Sequence, residues 1–361
     1  MRRRDGARFG PGRERGLALL VAILIVALGT MIAAAVAYEN AMTARRGVAT
    51  FAFDQSILVA EGAEALAAYG LRQIVQSDPK QLYLYQGWDK PIGPIEIPGT
   101  GAMLEASLED LQGRFNLNNL VKTDGTPDVA MVTAFNSLLA ELGLEEKWTG
   151  YIIDWIDMDG TPSIPEGAED SVYMGQTLPY RTANRYITSA SELLALPGFG
   201  RDRYMKLAPY VTALPHNTTI NVCTASGVVL DAFLGEGHTE FSDENTLAKN
   251  RQNAGACFPT RVNYQATFDP KVWAGTAPNG AAVTPGVNPA AGAVGGVVGP
   301  GGQTGVQGTN GLQSKFGQTS SYFRLTSVVT VEGAEFNLYS LLFQDAQAQM
   351  VRPIQRSFTP D

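Results

Sequence analysis

The sequence is poor in the residues that most catalytic and metal centres use. Its 361 residues include only two histidines and two cysteines, and the cysteines do not form a Cys-x-x-Cys pair. Two histidines give little support to a hydrolytic triad, and neither Ser191 nor Ser226 lies in a Gly-x-Ser-x-Gly turn. A net charge of −8 is unfavourable for binding to nucleic acid, which is a polyanion. These absences count against an enzyme and against a nucleic-acid-binding body.

Charge is absent from residues 17–38, an uncharged run of 22 residues. A helix of that length rises about 33 Å, which is enough to cross a bilayer. The 16 residues before it carry six arginines against two acids, and this net charge of +4 is expected to hold the N-terminus in the cytoplasm. The chain after Tyr38 is therefore expected outside the cytoplasm. A signal peptide would have a shorter apolar run, and an uncleaved membrane anchor is a second alternative.

The leader meets the apolar run at Arg15-Gly16, followed by Leu-Ala-Leu-Leu. This junction resembles the class III leader of type IV pilins and pseudopilins. The resemblance implies cleavage after Gly16 by the prepilin peptidase and methylation of the new amino terminus at Leu17. The fifth mature residue of these proteins is normally glutamate, whereas this chain has Val21. That departure is similar to the K-type minor pseudopilins of type II secretion.

Patterns at the two ends of the remaining chain predict a long helix and a sheet. Residues 39–76 contain no proline, so the first helix is predicted to continue to about Ser77. Residues 102–110 alternate apolar and polar side chains, as a half-buried strand does. Residues 321–345 form two β-rich runs about Glu332-Gly333-Ala334, which predict a hairpin.

The sequence between these strands has the pattern of helices. Residues 128–144 carry apolar side chains at helical spacing and stop at Gly143. A capping box from Ser189 to Glu192 predicts another helix start, and residues 224–235 predict a further short helix. Helices that interrupt a sheet protein indicate an insertion.

Five segments also resemble the K-type family in their order along the chain. They are DLQGRFNLNNL (110–120), DWIDMD (154–159), LPYRTANR (178–185), ELLALPGF (192–199) and INVCTAS (220–226). The resemblance implies an α+β protein with a pilin-like fold, in which a large SAM-like helical domain is inserted. The predicted divisions are the leader 1–16, the helix and first part of the body 17–119, the insertion 120–250 and the return to the sheet 251–361.

The same resemblance implies a non-enzymatic minor pseudopilin at the tip of the type II secretion pseudopilus. Expected partners are the minor pseudopilins of the I and J types, the prepilin peptidase and the inner-membrane assembly platform. The expected location is the inner membrane, crossed once by residues 17–38, with the C-terminal domain in the periplasm.

Basic residues are absent from residues 154–170, which hold six carboxylates: Asp154, Asp157, Asp159, Glu166, Glu169 and Asp170. Oxygen ligands on a loop rich in glycine and proline suit calcium, which accepts six to eight of them in loose geometry. The EF-hand register fails, because position 12 counted from Asp157 is Ala168. K-type pseudopilins bind calcium, so the resemblance implies a structural calcium site here. The alternative is a solvated acidic loop.

The two cysteines, Cys223 and Cys257, fall in the part predicted to be extracytoplasmic, where a disulfide is favoured. A zinc site made of His216, Cys223, His238 and Cys257 is the alternative, and the irregular spacing of these four residues counts against it.

Residues 196–207 can also be interpreted as a helix-hairpin-helix. The turn glycines of such hairpins meet DNA phosphates, which makes a membrane-anchored DNA-binding protein the alternative function. The surroundings are unfavourable, because residues 141–170 hold nine acids and one lysine. A turn between packed helices is the simpler interpretation, so no nucleic acid is expected among the partners.

Charged and aromatic residues are both absent from residues 275–311, which contain 12 glycines in 37 positions. Such a segment cannot bury enough apolar surface to offset the entropy of ordering it, so a mobile loop is expected.

Overall fold

The computed structural model describes residues 15–251, 257–258, 314–345 and 350–359. The leader residues 1–14 and the predicted Gly-rich loop 275–311 lie outside these ranges. The α-helices are α1 Arg15–Ser77, α2 Val129–Glu141, α3 Lys147–Ile156, α4 Asp170–Met174, α5 Gly200–Leu207, α6 Gly227–Ala232 and α7 Glu244–Arg251. The strands are β1 Ile92–Ile97, β2 Ala102–Asp110, β3 Phe115–Asn116, β4 Val211–Thr212, β5 Ile220–Asn221, β6 Phe316–Gly317, β7 Tyr322–Val331, β8 Ala334–Asp345 and β9 Met350–Ser357.

Helix α1 is a single helix of 63 residues with two environments. Its first part is apolar enough and long enough to cross a membrane, and that part is not buried against the rest of the chain. Its second part packs against the sheet through small side chains such as Ala60 and Ala63, which allow close approach. The helix ends at Ser77, as predicted, because Pro79 disfavours helical backbone at the residue before it.

Five strands form one antiparallel sheet in the order β1-β2-β7-β8-β9. The alternating residues 102–110 form β2, and residues 321–345 form the predicted hairpin of β7 and β8. Glu332 at the hairpin turn has a φ of 49° and Gly333 a φ of 82°, which explains the glycine there. Apolar side chains on one face of the sheet, such as Leu325 and Leu342, pack under α1.

The helical region lies between β2 and β7, which are neighbours in the sheet. Its own core is separate from the two clusters beneath α1 and is built around large buried aromatic side chains, including Phe115, Phe135 and Trp148. The insertion inferred from the sequence is therefore confirmed. Phe115 and Leu117 already belong to this core, so the helical region starts before the predicted boundary at residue 120.

A buried polar network holds the point where the chain leaves and re-enters the sheet. Asp110, at the end of β2, accepts hydrogen bonds from Asn221 (3.1 Å), Thr224 (2.6 Å) and Ser320 (2.5 Å). Burial raises the pKa of Asp110, and these three hydrogen bonds, together with one from the Gln112 amide, favour its charged form and oppose that rise. The Asn221 amide also donates to the Leu82 carbonyl at 2.9 Å. The network ties the helical region to the sheet and to the segment after α1.

Candidate functional site

Three of the six predicted carboxylates converge at the end of α3. Asp157 follows the last residue of α3, Asp159 lies two residues later, and Glu169 precedes α4. One oxygen from each lies within 4.8 Å of the others. Asp157 is 6% exposed and Glu169 is 4% exposed, whereas Asp159 is exposed. The cluster is therefore open to solvent at Asp159 and enclosed by protein at Asp157 and Glu169.

One buried oxygen of Asp157 and one of Glu169 lack a hydrogen-bond donor. Asp157 Oδ1 and Glu169 Oε1 have no hydrogen-bond partner although both atoms are buried. Burial, together with the nearby charges of Asp159 and Asp154, raises the pKa of Asp157 to about 7. Burial and the charges of Asp154 and Asp159 likewise raise the pKa of Glu169 to about 7. A buried carboxylate without a donor is costly, and a cation would remove that cost.

The other three predicted ligands have different surroundings. Asp154 is fully buried, and both of its oxygens accept hydrogen bonds from the Ser163 amide, at 3.0 and 3.1 Å. Asp170 accepts hydrogen bonds from the amide and hydroxyl of Thr182, both at 3.0 Å. Glu166 is exposed on the loop. The structure thus brings together Asp157, Asp159 and Glu169, while Asp154 and Asp170 hold the loop in place.

Two glycines, which the sequence interpretation missed, allow the loop to approach α3. A Cβ at Gly150, inside α3, would lie 2.1 Å from the Glu166 carbonyl oxygen. A Cβ at Gly167 would lie 2.2 Å from Asp154 Oδ2 and 2.3 Å from the Ser163 amide nitrogen. Only glycine, which has no side chain, therefore fits at these two positions. A glycine in the middle of a helix that ends at an acidic loop is the sequence signal that could have identified Gly150.

Both cysteines are buried and are joined in a disulfide, with their Cα atoms 4.6 Å apart. Neither sulfur is therefore a thiolate available to a metal. The two histidines of the zinc alternative have other neighbours. His216 stacks on Tyr186 at a centroid distance of 5.5 Å, and His238 Nδ1 lies 2.9 Å from Glu240 Oε1.

The predicted hairpin at residues 196–207 is a turn between packed helices. Gly198 and Gly200 both have positive φ, 80° and 74°. Arg203 binds Glu145 through two hydrogen bonds of 3.0 and 2.8 Å and donates to the carbonyls of Gly198 and Phe199. Arg203 lowers the pKa of Glu145 through these bonds. Arg203, one of the basic residues of this segment, is thus used within the protein, which favours the structural interpretation of the turn.

The predicted processing site lies at the start of α1. Helix α1 begins at Arg15, so the Gly16–Leu17 peptide lies within its first turn, and Leu17 is 70% exposed. The described part of the chain contains one helix that could span a membrane, and it is this one.

A fold comparison matches the crystal structure of the GspK–GspI–GspJ complex from the type 2 secretion system of enterotoxigenic Escherichia coli. The TM-score is 0.66 at 22% identity, and the match covers 88% of this chain and all of the matched chain. This likeness shows the fold, which is pilin-like with an inserted helical domain.

Sequence comparisons give the family. Residues 113–216 match the family model of type II secretion system protein K. Proteins of that description from Pectobacterium carotovorum and Pseudomonas aeruginosa are 37% and 34% identical, over 59% and 61% of this chain and 67% and 68% of theirs. The one from Klebsiella pneumoniae is 34% identical over 71% of this chain and 79% of its own length. The chain therefore belongs to the family of type II secretion system protein K, the K-type minor pseudopilins.

Proposed function

We propose that this minor pseudopilin occupies the tip of the pseudopilus and helps to start its assembly. The observation that carries the proposal is the position of the helical region, which lies between β2 and β7 in the chain and adds a core of its own to the pilin-like body. A body of that size blocks the addition of a further subunit above it. The I- and J-type minor pseudopilins, which accompany the K-type protein in the matched crystal structure, are the proposed partners.

The residue at position 21 supports the same placement. In a pilin-type filament, the carboxylate of the fifth mature residue neutralises the amino terminus of a neighbouring subunit among apolar helices. A buried charge left unpaired there costs several kcal/mol. Val21 cannot supply that pairing, and the end of a filament is where no subunit above requires it.

Immunogold labelling of overproduced pseudopili tests the tip placement. We expect label on the wild-type protein at one end of each filament. A variant whose helical region is deleted should also appear at internal positions, and Val21→Glu should leave membrane insertion and processing unchanged. Wild-type label distributed along the shaft would rule out the tip placement.

Processing at Gly16 is proposed to precede assembly, with α1 held in the inner membrane by residues 17–38 until the assembly platform extracts it. Mass spectrometry of protein extracted from membranes should find Leu17, N-methylated, as the first residue. The matched control is a strain without prepilin peptidase, which should retain Met1. An intact Met1 in cells with active peptidase would exclude the cleavage.

Calcium is proposed as a structural ion held by Asp157, Asp159 and Glu169. Two of these residues have a buried oxygen without a donor, which is the arrangement a hard cation satisfies. Three carboxylates leave part of the coordination shell to backbone carbonyls or water. When bound, the ion neutralises the repulsion among the carboxylates. Asp157, Asp159 and Glu169 then hold the segment 157–169 between the end of α3 and the start of α4.

A further inference from the structure

A groove of 680 Å³ lies between the helical region and the sheet. Its floor is the face of the sheet opposite α1, where Arg324, Leu341 and Gln355 form one cross-strand row on β7, β8 and β9. Its wall is the 3₁₀ helix Ala190–Ala195 together with α5. The groove therefore belongs to both parts of the protein and exists only because the helical region stands over the sheet.

The lining of the groove is cationic, although the whole chain has a net charge of −8. Arg114, Arg201 and Arg324 line it, and none of the described residues that line it is acidic. Arg114 and Arg324 share the single carboxylate of Glu109, so one positive charge of the pair is not neutralised. Arg201 is exposed and forms no ion pair with the described residues. Carboxylate and phosphate groups are the partners that such guanidinium groups bind best.

The rim of the groove is apolar and exposed. Leu194 is 47% exposed and Met205 is 57% exposed, and both line the groove with the half-buried Leu341 on its floor. Apolar side chains beside two unsatisfied positive charges match an amphipathic segment better than a small hydrophilic anion.

The groove lies on the face of the sheet opposite α1, and the outer side of α1 is apolar and exposed. Helix α1 packs on the opposite face of the sheet, and its own outer side exposes Phe51, Leu58, Leu66 and Tyr69. These four residues fall within about 80° of one another around the helix at 3.6 residues per turn. Packing of subunits through α1 leaves the groove on the outside of the filament, where a protein that is not a subunit can reach it.

We propose that this groove binds a segment of a protein that is to be secreted, in which a carboxylate lies next to apolar side chains. The carboxylate pairs with Arg201 and with the charge shared by Arg114 and Arg324, while its apolar neighbours contact Leu194 and Met205. The inference rests on the proposed function, because it requires a protein that meets secreted proteins before they leave the cell.

The probe is the most abundant protein that the cell releases into the medium only when its type II system is intact, purified from that medium. Its binding is measured to the full-length chain in lipid nanodiscs. We expect Arg201→Glu to weaken binding about tenfold, which is the effect of reversing one partner of a charge-assisted pair. Leu194→Ser should also weaken it. Arg185→Glu makes the same charge change at an exposed arginine outside the groove and should leave binding unchanged.

A second readout separates this site from subunit contacts. Copurification with the I- and J-type subunits should be the same for the wild type and for Arg201→Glu. Loss of both activities in Arg201→Glu would make the groove a subunit interface and would overturn the proposal. Equal binding by the wild type, Arg201→Glu and Arg185→Glu, or no binding by any of them, would also overturn it. Failure of the wild type to copurify with those subunits would instead contradict the proposed function.

Discussion

At the scale of single residues, Asp157 and Glu169 are the buried carboxylates among residues 154–170 that each have an oxygen without a hydrogen-bond donor. Each is buried, lies near other carboxylates and has an oxygen with no donor. The sequence identifies the carboxylates of this loop, but it does not indicate which of them converge. That depends on how far the loop folds back, and the amide of Ser163, bound to Asp154, sets this distance. Pairs such as Asp170 and Thr182 likewise become visible only after folding.

Replacing Asp157 by asparagine should have opposite effects with and without calcium. In chelator at pH 8, Asp157→Asn should raise the melting temperature, because it removes a buried charge repelled by its neighbours. In calcium, the same variant should melt below the wild type, because it binds the ion less well. Glu166→Gln removes a charge from the same loop at an exposed position and serves as the control in thermal unfolding. Identical melting curves in calcium and in chelator would contradict a calcium site.

The pH dependence of the same experiment has a defined sign. Without calcium, the folded protein holds protons on Asp157 and Glu169 up to about pH 7, whereas these groups ordinarily titrate at 3.8 and 4.5. Between these limits the folded state holds more protons than the unfolded chain. The contribution of these two groups to the free energy of unfolding therefore falls as the pH rises from about 4 to 7. In calcium this fall should be smaller, since the ion favours the ionised form.

At the scale of elements, most of the architecture follows from local pattern. The alternation of residues 102–110 predicts β2, and the glycine at the turn predicts the β7–β8 hairpin. The capping box at Ser189 and Glu192 is present, although it starts a 3₁₀ helix instead of an α-helix. The groove could not be predicted in this way, because its two sides come from elements far apart in sequence and meet only through the fold.

Gly150 provides a test at this scale, because it joins α3 to the acidic loop. Alanine in place of a glycine inside a helix usually stabilises by up to about 1 kcal/mol. Gly150→Ala should instead destabilise the protein, because its Cβ would meet the Glu166 carbonyl oxygen at 2.1 Å. Gly62→Ala in α1, where nothing lies within 4 Å, is the matched control and should be neutral or stabilising. Urea unfolding gives both values, and equal gains for the two variants would show that the loop does not approach α3.

At the scale of the whole molecule, separate cores are held together by polar contacts. Two apolar clusters lie between α1 and the sheet, and a third fills the helical region. The Asp110 network and the Arg114–Glu109–Arg324 bridge connect them. The family resemblance predicts this division. Its physical cause is that the helical region buries its aromatic residues against one another and not against the sheet.

The disulfide should contribute to the stability of the helical region. It closes a loop between residues 34 positions apart in the chain. In the chain-entropy model, such a loop stabilises by roughly 3–4 kcal/mol. A double Cys223→Ala and Cys257→Ala variant should lose about that much in urea unfolding, and added reductant should destabilise the wild type only. Non-reducing peptide mapping checks the pairing, and two free thiols in protein extracted from cells without reductant would contradict it.

The β2–β7 pairing has a further consequence for the connectivity of the chain. Asp110 and Phe323 are opposite each other at the last pair of that ladder, so the chain returns to the place that it left. Without the excursion from Leu111 to Ser321, the strands would follow one another as neighbours, and the sheet would be a simple antiparallel meander. Strands that lie so far apart in the sequence lose much chain entropy if they pair early in folding, because a long loop must close. The excursion lowers that cost if it becomes compact first, because its two ends then already lie side by side.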